Sequence, residues 1–148
     1  MRPLAKKATP AALAVLKEAT AVWPARSRKS DGLLPSAAHV KQNPDSDHND
    51  GFAVDLTHDP KVGLDCGDLF SRFQSDPRVE YLIFDGLIWS KSKGVRKYTG
   101  ENKHHHHLHI SIKRNGKAHL STVPWFPWKP VKRLGVAKAI VQRPKKKS

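Results

Sequence analysis

Two apolar runs meet at Asp85-Gly86, and that meeting limits the fold more than any other feature of the chain. Val79-Glu80-Tyr81-Leu82-Ile83-Phe84 reads as a strand and Leu87-Ile88-Trp89 as its return. An Asp-Gly pair between such runs suits a type I′ turn, in which both central residues need positive φ and the twist matches that of paired strands. The chain is thereby committed to an antiparallel sheet. Residues 52–56 and 108–112 read as further short strands, and Asn115-Gly116 as a turn into another over 118–123.

Two helices complete the prediction. Thr9-Pro10 offers an N-cap and a first-turn proline. Leu13, Val15, Leu16, Ala19 and Val22 then recur on one face until Trp23-Pro24 ends the pattern. A second helix is expected over 64–74, with Leu64, Leu69, Phe70 and Phe73 inward and Asp76-Pro77 as its stop. Residues 25–45 form a long loop, of a length that often serves function. Residues 90–103 read as a polar connection. Helices beside a short antiparallel sheet define an α+β domain.

At 148 residues one core is expected. The composition divides the chain into a domain over 1–123 and a Pro/Trp/Lys-rich end over 124–148. From Lys113 onward there are 11 Lys/Arg and no Asp/Glu, whereas the rest holds 16 basic against 13 acidic residues. So concentrated a charge suits an anionic wall, membrane polymer or nucleic acid, and equally a solvated end that aids solubility. Trp125 and Trp128 are expected to pack that end onto the domain. Cys66 is the only cysteine, which excludes an internal disulfide and suits a buried small apolar residue. No apolar run approaches membrane-span length. Lys17 and Glu18 interrupt the N-terminal Ala/Leu stretch, so it reads as a helix and not an export signal.

The chemistry concentrates in two segments. Ser46–Asp55 puts His48 and Asp55 seven residues apart with small residues between them, and a histidine run ends in His107-Leu108-His109. Deprotonated His and Asp are zinc ligands, and a hydrolytic zinc site needs three of them plus an open position. His48, Asp55 and His109 supply that set. Ser46 could fasten the loop, and Asp47 or Asp50 could orient a ligand imidazole. His107 shares a strand face with His109 and could serve as general base or as electrostatic stabiliser. His104 could reach the same cleft from the preceding loop. Four consecutive histidines also fit a polar loop or a tag, but the internal position followed by Leu-His-Ile-Ser argues against a tag. His105, His106, His58 and His119 are expected to be non-ligands.

Ser46–Asp55 reads S-x-H-x-x-G-x-A-x-D throughout. It resembles the first zinc motif of the D-Ala-D-Ala carboxypeptidase and L-Ala-D-Glu endopeptidase group of peptidoglycan peptidases, relatives of lysostaphin-type enzymes and the hedgehog domain. His107-Leu108-His109 is similar to the group's second motif. The resemblance implies a hedgehog/D,D-peptidase-like fold, zinc on His48, Asp55 and His109, His107 as the active-site histidine, and His104 lining the site. The runs 23–32 and 55–60 are similar to small phage lysin domains. Where carboxypeptidases of the group often carry E-x-x-H before the last ligand, this chain has His106, which moves the expectation towards endopeptidases.

The resulting expectation is a monomeric, phage endolysin-like zinc endopeptidase acting on peptidoglycan stem peptides. It would be made in the cytoplasm without a signal peptide and act at the bacterial wall, its basic tail held by anionic polymers. Arg28, with Arg26 as a second choice, would clamp a substrate carboxylate, while Ser30 and Asp31 would shape the cleft. Two alternatives stand: a D-Ala-D-Ala carboxypeptidase, and a basic wall- or nucleic-acid-binding module with a closed, structural zinc.

Overall fold

The structure, a computed structural model, describes residues 7–35 and 45–129. The basic stretch beyond 129 lies outside the described residues. The architecture is α+β. Five antiparallel strands, β1 (Ala53–Thr57), β2 (Val79–Phe84), β3 (Leu87–Ser90), β4 (Gly94–Lys97) and β5 (His107–Ile112), lie in the order β1-β5-β2-β3-β4. Helices α1 (Pro10–Val22) and α2 (Cys66–Arg72) precede β2.

The Asp85-Gly86 turn forms as expected, with φ of 49° and 81° and Phe84 paired to Leu87. Strand β5 runs between β1 and β2, so its alternation decides what each face of the sheet carries. Leu108, Ile110 and Ile112 point into the core with Val54, Leu56 and Leu82. Helices α1 and α2 cover that face through Ala12, Val15, Ala19, Leu69 and Phe70. The alternate residues, His107, His109 and Ser111, fall on the opposite face.

Helix α1 keeps its expected limits, but Thr9 does not cap it through its side chain. Its hydroxyl and amide both donate to the Gly51 carbonyl, at 2.8 and 3.0 Å, and so tie the helix start to the Ser46–Asp55 segment. Gly51 has φ +80°, and a Cβ there would come within 2.8 Å of the Ala8 Cα. Only glycine fits, for backbone conformation and for space.

Three expectations are corrected. The second helix is shorter than 64–74: Asp65 caps it by accepting from the Gly67 and Asp68 amides, and 73–75 tightens into a 3-10 turn. Residues 94–97, read as polar connection, are the edge strand β4. Residues 118–123 form no strand; Ala118–Leu120 is a 3-10 turn, so Gly116 does not open a hairpin.

The packed chain continues past residue 123. Trp125 and Phe126 are buried in the core; Trp125 Nε1 donates to the Ala11 carbonyl at 2.9 Å and its amide to Glu18. Trp128 packs beside them with Arg72 over its ring. Each buried aromatic of this size stabilises by about 1.5–3 kcal/mol relative to exposure, so this segment fastens α1 to the rest.

Candidate metal centre

Strand register assembles the site. Asp55 pairs with His109, Thr57 with His107 and Ala53 with Ser111 across β1 and β5. On the other side of β5, Ile83 pairs with His109 and Tyr81 with Ser111. His48 arrives from the 3-10 turn Asp47–Asp50, whose start is held as expected by the His48 amide donating to Ser46 Oγ at 3.2 Å.

The three expected ligands converge on one point. His48 Nε2 lies 3.2 Å from Asp55 Oδ2, and His109 Nδ1 lies 3.1 Å from Asp55 Oδ1. Each imidazole is fixed by its far nitrogen. His48 Nδ1 is 2.9 Å from the Leu33 carbonyl, which can only accept, so that nitrogen donates its proton there and Nε2 faces Asp55. His109 Nε2 is 2.8 Å from Ser111 Oγ, while its Nδ1 hydrogen-bonds Asp55 Oδ1. Such outer partners set ring orientation and ligand basicity.

Further contacts brace His109. The Tyr81 ring stacks on it at 5.5 Å, and Tyr81 donates its hydroxyl to Asp47 Oδ2 at 3.0 Å. Arg114 in turn bonds Asp47 and Asp50. Asp47 thus acts on His109 through Tyr81. The contributions of Leu33, Tyr81, Ser111 and Arg114 were not expected, because only the tertiary fold brings them close.

The second pair also reaches the centre. His107 Nε2 is buried with no hydrogen-bond partner, 3.7 Å from Asp55 Oδ2. His104, at φ 58°, lies with its ring 4.7 Å from that of His107 and 5.5 Å from that of His109. Its Nδ1 is 2.6 Å from the Asn102 carbonyl, which turns Nε2 away from that contact. The Asp85 and Gly86 amides donate to the His104 and Lys103 carbonyls, so the hairpin turn holds this loop in place.

Electrostatics follow from this crowding. Burial works to raise the Asp55 carboxyl, but hydrogen bonds and charge from His109 and His48 prevail and hold it far below the usual carboxylate range. Burial opposes charge on His48, yet Asp55 raises its pKa. Burial, then His109 and His107, push His104 down to about 4. Burial also lowers His107, partly offset by Asp55. His104 and His107 are therefore neutral at pH 7, with lone pairs available for a cation or a proton.

Among the described residues, two sets of side chains could hold a metal ion: His48, Asp55 and His109, and Asp55, His104 and His107. In each, one donor atom per residue lies within 4.8 Å of the others. The expected ligands, with their far nitrogens anchored and the partnerless His107 nitrogen nearby, fit a cation. They lie in an open cleft of about 720 Å³, also lined by Ile83, Tyr98 and Glu101.

The expected substrate residues are placed elsewhere. Asp31 receives both Nη atoms of the buried Arg26, at 3.0 and 2.8 Å, and also the Thr57 hydroxyl and amide. The Ser30 amide donates to Thr57 Oγ1. Arg28 lies on a separate shallow groove with Thr20 and Leu16. Neither Arg28, Ser30 nor Asp31 lines the histidine cleft. Together Arg26 and Asp31 brace the loop whose Gly32 pairs with Asp55 through two backbone bonds. A Cβ on Gly32 would lie 3.2 Å from Asp55 Oδ2, so this glycine leaves the carboxylate its room.

The remaining described histidines stay outside the two sets. His105 pairs with Asp85 at the surface, and His58 accepts the Cys66 amide. Cys66 is buried, its thiol pushed up to about 12, mainly by burial.

No family model, curated protein or solved structure matches the chain. No described helix is long and apolar enough to cross a membrane.

Proposed function

We propose that the chain is a zinc-dependent peptidoglycan peptidase of endolysin type, cutting an amide bond in the stem peptide or cross-link. The observation that carries the reading is the convergence of His48 Nε2 and His109 Nδ1 on the Asp55 carboxylate in an open cleft, with the buried His107 nitrogen 3.7 Å from that carboxylate. His48, Asp55 and His109 would hold zinc. When bound, zinc supplies acidification of a water and polarisation of the scissile carbonyl.

His107 is neutral at pH 7 and takes the proton of the attacking water at Nε2. The same nitrogen then returns it to the departing amine. His104 borders the cleft and limits the approach to His107. Ser111, Tyr81 and Leu33 keep the ligand imidazoles in one orientation, so little reorganisation accompanies the reaction.

Two observations favour an endopeptidase over a D-Ala-D-Ala carboxypeptidase. A carboxypeptidase must hold a terminal carboxylate, yet no Lys or Arg is among the described residues lining the cleft. The place of the E-x-x-H glutamate is held by His106, which is exposed. The basic C-terminal stretch would hold the enzyme on anionic wall polymers.

Mass spectrometry of cross-linked and uncross-linked muropeptides after digestion tests the assignment. Loss of cross-links, or new ends within the stem, is expected. Release of free D-Ala from uncross-linked stems would mark the carboxypeptidase instead, and the absence of any new terminus would sink the peptidase reading.

A further inference from the structure

We propose a second, weaker divalent-cation site beside the first, formed by His104, His107 and the shared carboxylate of Asp55. The proposal rests on the zinc reading above and extends it to a way in which metal can also silence the site. Donor atoms of these three residues lie within 4.8 Å of one another, as do those of the expected triad.

The donors are prepared. His107 Nε2 is buried, partnerless and 3.7 Å from Asp55 Oδ2. His104 Nδ1 is engaged by the Asn102 carbonyl, so its lone pair is on Nε2. The left-handed backbone of His104, rare for a non-glycine residue, is fixed by three bonds: its amide donates to Asn102 Oδ1, and the Asp85 and Gly86 amides hold the 103–104 carbonyls. Two neutral imidazoles and a carboxylate suit a first-row divalent cation such as zinc.

The two sites fill in order. His48 and His109 come from a tight turn and a central strand, and both have their far nitrogens anchored. The second set borrows a carboxylate already used by the first and takes His104 from a loop. Two cations on one carboxylate also repel each other. The second ion therefore binds at higher free zinc. Once there it occupies Nε2 of His107, which can then no longer accept a proton, so excess zinc inhibits.

Native mass spectrometry of the metal-stripped full chain, titrated with zinc, tests the proposal. The wild type is expected to take up two ions in two separated steps. His104→Ala should lose the second step and keep the first, and that retained first ion shows the variant is folded. His48→Ala should lose the tight step. A wild type that stops at one ion overturns the second site and leaves the peptidase reading standing, as does a second ion that persists in His104→Ala. A folded wild type that binds none overturns both.

Discussion

His109 and His104 have their rings 5.5 Å apart and face the same carboxylate, yet the chain holds them in different ways. His109 sits on a strand flanked on both sides, with Asp55 opposite it, Tyr81 stacked on it and Ser111 on its far nitrogen. His104 sits on a loop in a left-handed conformation, held by backbone bonds from a hairpin turn. The sheet fixes a ligand by register, which cannot drift without turning the strand's side chains to the other face. The loop fixes a residue by a few bonds to a neighbouring turn. The first arrangement suits lasting metal ligation, and the second suits proton handling or weaker binding.

The comparison breaks most completely at Asp55, which serves both pairs. Asp55→Ala should abolish tight zinc binding by calorimetry. It should also lower peptidase activity beyond the ~10²–10⁴-fold expected of losing a general base alone. His107→Ala should fall within that ~10²–10⁴-fold range in kcat while keeping the tight zinc. Retained activity in this variant would remove His107 from the mechanism.

Asp31→Ala distinguishes a brace from a substrate contact. It strands the buried Arg26 guanidinium, and breaking a pair of this kind costs about 3–5 kcal/mol. Urea unfolding should show that loss; an unchanged midpoint with a raised KM would restore the substrate role. Ser111→Ala frees the far nitrogen of His109 and should weaken zinc binding by about 10–100-fold.

The smallest effect is a pH dependence of stability in the metal-free protein. Unfolded His104 takes a proton near the ordinary histidine value of 6.5, whereas in the fold it does so only near 4. Between those values the unfolded state binds more protons, so this residue's contribution falls as pH drops from 6.5 towards 4. His48, raised by Asp55, acts in the opposite sense and loses its contribution as pH rises through its folded pKa. Urea midpoints should therefore fall less over that range in His104→Ala than in the wild type. An identical fall in both would show that His104 is not held neutral.

Much of this arrangement was legible in the sequence because it is local or periodic. The Asp-Gly turn, the alternation of β5 and the spacing of His48 and Asp55 are set by near neighbours, and they sufficed to bring the three candidate ligands together. Strand β4 was not legible: Val95 is half exposed and is followed by Arg96 and Lys97, so an edge strand carried no apolar signal. The strand expected over 118–123 could not pair with β5 as a hairpin, since β5 is already paired on both sides. Asp31 looked like a cleft residue because nothing in the sequence shows that Arg26 and Thr57 use all of its bonding capacity.

The central claim is tested most directly by digesting purified peptidoglycan with the full chain, with and without a chelator, and reading the fragments by mass spectrometry. The account predicts new peptide termini that vanish with chelation and return when zinc is restored. Identical fragments in the presence of chelator, or an intact wall after exposure to folded, zinc-loaded protein, would contradict it.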